Sequence, residues 1–239
     1  LFEYQKNNLY FGLLADGMED LGESELLRLG ATSLRRAFRG MFFNADISTM
    51  YRINYLSRFF TRILAPLITF DCHSDRYLYR TASSLNWSKI LSPDGTFAIF
   101  SSVSDSNISH SRFAALRLKD AIADWFVEHH GRRPNVDTES PDVWINLRIH
   151  RNRASIRLDT SGGSLHRRGY RAKSVEAPMQ ETLAAAIIAL SGWDGSTPFI
   201  DPMCGSGTLL CEALMHYCRI PAGYLRKRFG FQSMPEFDS

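Results

Sequence analysis

The short apolar pair Phe199-Ile200 runs directly into Asp201-Pro202-Met203-Cys204-Gly205-Ser206-Gly207-Thr208, and residues 209–219 then read as a helix. A strand, a Gly-x-Gly turn and a helix in succession predict the first corner of a doubly wound sheet. Ligands settle there, outside the carboxyl ends of the strands. The glycines let a ligand approach the backbone where a Cβ would clash. A phosphate-cradling loop is excluded, because no G-x-x-x-x-G-K-[ST] is present. A dinucleotide is disfavoured, since Thr208, Leu209 and Leu210 follow Gly207 where a third glycine would be needed. Ser206 stands between two adjacent glycines and so lacks the spacing of a nucleophile elbow. The carboxylate of Asp201 suits a small cationic cofactor, and S-adenosyl-L-methionine carries both an ammonium and a sulfonium. A purely structural turn is the other reading of this loop.

Charge is concentrated elsewhere. The formal net charge is only +3. Residues 147–173, however, hold Arg148, Arg151, Arg153, Arg157, Arg167, Arg168, Arg171 and Lys173 against Asp159 alone. Arginine offers a planar fork to phosphate. With His150, His166 and Tyr170 interleaved, the stretch points to a polyanion, meaning nucleic acid, against the plainer reading of a solvated face.

Helical spacing predicts helices over residues 18–29 (Met18, Leu21, Leu26, Leu29), 50–64 (Met50, Ile53, Leu56, Phe60, Leu64, stopped by Pro66) and 112–130 (Ala115, Leu118, Ile122, Trp125). A further apolar helix over residues 179–190 is expected to bury Met179, Leu183, Ile187 and Leu190. Strands are expected at 40–43, at Tyr77-Leu78-Tyr79 and at 96–103. Alternation over 142–149 and again over 154–158, across a short polar loop, predicts a hairpin with arginines at its tip and on its polar face. Cys72, Cys204, Cys211 and Cys218 are too few for a disulfide scaffold, and their spacing lacks the close pairs of a zinc site. They are read as small buried side chains in a reducing, cytoplasmic setting, with no metal. No apolar run is long enough for a membrane helix, and no secretory leader is expected. The absence of an initiator Met suggests a trimmed or partial chain.

Asp201 through Leu209 resemble the first cofactor motif of the THUMP-containing RNA methyltransferases. The lead-in is similar too: Leu158-Asp159-Thr160-Ser161-Gly162, then Leu165-His166-Arg167-Arg168-Gly169-Tyr170-Arg171, then Ala177-Pro178-Met179-Gln180-Glu181-Thr182-Leu183. Lys119-Asp120-Ala121-Ile122 and Arg133-Pro134-Asn135-Val136-Asp137 match in the THUMP part. Within the family the likeness is strongest to the bacterial enzymes that modify N2 of a guanine in 23S ribosomal RNA.

The resemblance implies a mixed α/β and α+β architecture. A ferredoxin-like N-terminal domain would take residues 1–48, with about 66 as its outer limit. A THUMP RNA-binding domain would take 49–160, and 161–239 would begin a Rossmann-like methyltransferase domain. It also implies that Asp201, Pro202, Met203, Cys204, Gly205, Ser206, Gly207 and Thr208 line the methionine and ribose end of the cofactor. Pro178, Glu181 and Thr182 would flank that pocket, and residues from His166 to Arg171 would lie near the RNA entry. The family's Asn-Pro-Pro-Tyr motif and the ribose-binding acidic residue of its second strand are not in this sequence. The expectation is therefore the N-terminal portion of an RNA methyltransferase, inactive by itself. The rival expectations are an RNA-binding module without catalysis, a family member acting on tRNA, and a non-RNA enzyme with another cofactor.

Overall fold

The computed structural model describes residues 1–171 and 178–237. In chain order its elements begin with α1 (Glu3–Asn7), β1 (Leu9–Leu13), α2 (Glu19–Leu29), β2 (Thr32–Ala37), β3 (Gly40–Asn44), α3 (Ile47–Leu56) and β4 (Arg62–Asp71). There follow α4 (Asp75–Ser83), β5 (Thr96–Ser104), α5 (Ser111–His130), β6 (Asn135–Val136), β7 (Val143–His150) and β8 (Arg153–Asp159), then α6 (Glu181–Ser191) and α7 (Thr208–Tyr217). Two compact units result: Leu1–Leu9 with Leu64–Gly163 and Gly230–Ser239, and Tyr10–Ile63 with Ser164–Phe229. Each takes chain from both ends of the sequence.

The first unit is built on the ladder β4-β8-β7-β5-β6. β7 and β8 are antiparallel, as their alternation predicted, while β5 runs parallel to both β6 and β7. Arg151 and Asn152 form the two-residue loop with φ of 50° and 56°. Positive φ at both positions is the geometry whose twist matches a tight hairpin. Asn152 is held there from three sides. Its side-chain oxygen accepts from Ser106 Oγ at 2.9 Å and Asn107 N at 2.8 Å, and its carbonyl accepts from Cys72 N at 2.6 Å.

The polar face of β8 departs from expectation. Ser155 and Arg157 are buried because α1 and residues 230–237 lie in the same unit, Phe231 N donating to Thr160 O at 2.7 Å and Tyr4 Oη to Glu236 at 2.9 Å. Tyr77-Leu78-Tyr79 is helical, not extended. Ser74 caps α4 by accepting from Tyr77 N at 3.3 Å, and Leu78 and Ala82 go to the core. The cap outweighs the β-preference of the tyrosines.

In the second unit β2, β3 and β1 are neighbours in that order, and α2 packs against β2, β3 and α3. The expected helix 50–64 is two elements. α3 stops at Ser57 because a buried carboxylate, Glu25, takes the groups that would continue it. Glu25 accepts from Ser57 Oγ at 2.6 Å, Arg58 N at 2.9 Å and Phe59 N at 3.4 Å. Burial raises the pKa of Glu25, against the lowering effect of those bonds. Leu64 and Pro66 then belong to β4, where the register with β8 shifts between Pro66 and Ile68. A residue without an N–H is tolerated at such an irregularity.

Two other expectations fail. α6 buries Thr182, Ala184, Ala185, Ala186 and Ile188, whereas Met179, Leu183, Ile187 and Leu190 are exposed, Leu190 at 74%. The helix is apolar on every side, so its periodicity could not choose a face. Small alanines allow the close approach to α7. Phe199-Ile200 forms no strand among the described residues, because no neighbouring strand is there to pair with it.

Candidate functional site: a glycine loop and an arginine-tipped hairpin

The glycine loop turns on backbone geometry. Gly205 and Gly207 have φ of 52° and 75°, and a Cβ at either would meet nothing within 4 Å. Gly207 N donates to Cys204 O at 2.7 Å, which closes the turn into α7. Gly207 is also the N-cap of α7, and no side chain caps that end. Asp201 accepts from Met203 N at 3.1 Å, so its carboxylate braces the loop. Pro202, Met203 and Cys204 are exposed, Ser206 is half-buried, and Thr208 is buried with its hydroxyl 3.2 Å from Ser206 Oγ. This open cradle fits an S-adenosyl-L-methionine-type ligand: two positions without a Cβ, a carboxylate, and free helix N–H groups. Valine at position 207 is expected to weaken binding of S-adenosylhomocysteine while costing about 1 kcal/mol or somewhat more in stability. Calorimetric titration of that ligand checks it, and unchanged affinity would mean the loop is only a turn.

Glu181 and Thr182, both buried, open α6, and Pro178 just before them is half-buried. Arg171 joins these residues to the loop. One terminal nitrogen lies 3.1 Å from Glu181 Oε1, donates to Met179 O at 3.0 Å and lies 3.2 Å from Thr208 Oγ1. Arg171 therefore ties the N-terminal ends of α6 and α7 together; it was expected at an RNA entry.

Three more arginine and tyrosine assignments are corrected by burial. Arg168 is 1% exposed, with Nε 3.3 Å from Glu212 Oε1 and its terminal nitrogens donating to Ser57 O, Leu165 O and Arg58 O. Tyr170 donates to Glu212 Oε1 at 3.0 Å, and burial followed by the charge of Glu212 raises its pKa far above the ordinary phenol range. Arg157 is 6% exposed, its Nε donates to Ser155 Oγ at 2.9 Å, and burial lowers its pKa to about 10. None of the three presents its polar group to a polyanion in this arrangement.

His166 is half-buried beside Ser164 Oγ at 2.5 Å, and burial lowers its pKa, with Glu181 opposing. Arg167 is exposed. On the hairpin Arg151 and Arg153 are exposed at the tip, and Arg148 is half-buried. Lys173 lies outside the described residues. The cysteine reading holds only for Cys72, whose thiol burial pushes up to about 11. Cys204 and Cys218 are exposed and Cys211 is partly so, because Cys204 precedes α7 and Cys218 follows it. Among the described residues no group of three or more His, Cys, Asp or Glu is placed to hold a metal, and no helix is long and apolar enough to cross a membrane.

Missed entirely was the buried carboxylate Glu212. It faces Arg168 and Tyr170 through one oxygen, and its other oxygen is 3.6 Å from Arg58 Nη1. Its only sequence signal was an acidic residue inside an otherwise apolar helix.

Three family models match the chain: the RlmL ferredoxin-like domain over residues 11–64, the THUMP domain over 73–159, and the RMKL-like methyltransferase domain over 168–236. A putative RNA methyltransferase of Synechocystis sp. is 40% identical over 229 residues, covering 96% of this chain and 60% of that protein. A crystal structure described as a predicted N6-adenine-specific DNA methylase from Listeria monocytogenes aligns with a TM-score of 0.82 at 27% identity, over 98% of this chain and 61% of that one. A putative methyltransferase crystallised with SAH aligns with a TM-score of 0.80 at 29% identity, over 97% and 61%. The chain thus spans about 60% of the length of the relatives it matches. Ferredoxin-like, THUMP and methyltransferase modules follow one another along it.

Proposed function

We propose that this chain, which matches the modules of the THUMP-domain methyltransferase family, supplies the RNA-gripping and cofactor-entry parts of an enzyme that methylates N2 of a guanine in large-subunit ribosomal RNA. The observation that carries the reading is the Cβ-free cradle of Gly205 and Gly207 following a THUMP module. The SAH-bound relative supports the cofactor. The cofactor supplies a methyl group on a sulfonium. Residues 201–208 would hold its methionine and ribose end, while Glu181, Thr182 and Arg171 fix the helix ends beside it. A target base must leave its stack to reach such a pocket, which favours looped RNA. A cytoplasmic location accords with that substrate.

The hairpin tip is the RNA contact in this reading. Arg151→Ala with Arg153→Ala is expected to weaken binding of the chain to ribosomal RNA and to flatten the slope of log affinity against log salt by about two at most. Filter binding at several salt concentrations measures both. An unchanged slope would remove the hairpin from the interface. With labelled cofactor the chain is expected to bind SAH but to leave ribosomal RNA unmethylated, since its 239 residues contain no Asn-Pro-Pro-aromatic motif. Turnover by the chain alone would contradict this.

A further inference from the structure

α6 and α7 run side by side in the same direction. Arg171 joins their first turns, and further along Ala185 and Ala189 line the same cavity as Glu212 and His216. That cavity has a volume of about 470 Å³ and is also lined by Arg28, Leu56, Arg58, Phe59, Arg219 and Ile220. It sits toward the C-terminal end of α7, the glycine loop being at the other end. Leu56, Phe59 and Ile220 give it apolar lining, and Arg28, Arg58 and Arg219 line it together with the carboxylate of Glu212. Arg58 is engaged by Glu212 and by the carbonyls of Met215 and Ile220. Arg28 and Arg219 are exposed, and the charge of Arg28 also acts on the buried carboxylate of Glu25. Burial lowers the pKa of His216, and the charges of Arg58 and Arg28 lower it further.

We propose that this cavity binds a phosphorylated nucleoside unit, with the phosphate at Arg28 and Arg219 and the base against Leu56, Phe59 and Ile220. A site of some hundreds of cubic ångströms that combines apolar side chains with convergent polar groups suits a ligand of that size. Two exposed arginines lining one cavity suit phosphate in particular. The choice of a nucleoside over another organic phosphate rests on the RNA reading above. The unit comes either from an unpaired position of an RNA strand or from a free nucleotide.

The test uses the 239-residue chain with three probes: GMP, a short unpaired oligoribonucleotide, and S-adenosylhomocysteine. Arg28→Ala with Arg219→Ala is expected to weaken GMP or the oligonucleotide by roughly tenfold or more. Both residues are exposed, so the variant should fold. Ala189→Phe keeps every charge and fills the cavity; it is expected to weaken the same probes. Loss confined to the oligonucleotide assigns the strand as the source, and loss confined to GMP assigns the free nucleotide. Retained binding of both probes in both variants overturns the proposal, as does a double-variant effect that Ala189→Phe fails to reproduce, since that is surface charge alone. S-adenosylhomocysteine binding should be unchanged throughout, so failure here is distinguishable from failure of the methyltransferase reading.

Discussion

Glu212→Ala should destabilise the chain by about 3–5 kcal/mol, the cost of stranding buried cations. The carboxylate is fully buried. It stands 3.3 Å from Arg168 Nε and 3.6 Å from Arg58 Nη1, and it accepts from Tyr170 Oη. The backbone carbonyls that also receive Arg168 and Arg58 are neutral, so they satisfy hydrogen bonds without balancing charge. Glu212→Gln should recover part of the loss, because its amide oxygen can still accept from Tyr170 while the net charge stays missing. Urea unfolding of the two variants measures the difference. A Glu212→Ala midpoint within error of the parent would show that the pairs contribute nothing net. The tie runs from Ser57 and Arg58 to residues 165–170 and α7, so it joins the ferredoxin-like segment to the methyltransferase segment inside one compact unit.

Gly230→Ala should cost stability in the other unit, toward the upper end of the roughly 1–3 kcal/mol typical of overpacking. A Cβ there would fall on the carbonyl oxygen of Asp159 and lie 2.6 Å from Gly162 N. Both are backbone atoms and neither can swing away as a side chain would. Residues 230–237 would have to lift, breaking the bond from Phe231 N to Thr160 O. Gly131→Ala is the control. Its Cβ meets nothing within 4 Å, so only the positive φ of 68° is penalised, at about 1 kcal/mol. Thermal unfolding should separate the two variants by several degrees, and equal midpoints would mean that the C-terminal segment is not seated on β8.

The hairpin of β7 and β8, the long helix α5 and the glycine turn were legible because each rests on local physics: a period of two across a short loop, a period near 3.6 with a glycine stop, and backbone freedom where a turn requires it. The cofactor class was legible through the resemblance, and the modules now matched along the chain support it. The charge cluster reads as one patch in the sequence, and the fold divides it. Arg168, Arg157 and Arg171 have the same side chain as Arg151 and Arg153, yet the first three turn inward or tie helices together while the last two face solvent.

The sequence by itself determined the β7–β8 hairpin, the long helix α5 and the glycine turn that leads into α7. Tertiary structure alone decided which arginines are available, where α3 ends and which face of α6 is covered. The reason is physical: a charge or an apolar stripe has its meaning set by what covers it. Here the covering groups come from far along the chain, Glu212 for Arg168, Glu25 for the end of α3, and residues near 4 and 231 for the inner face of β8.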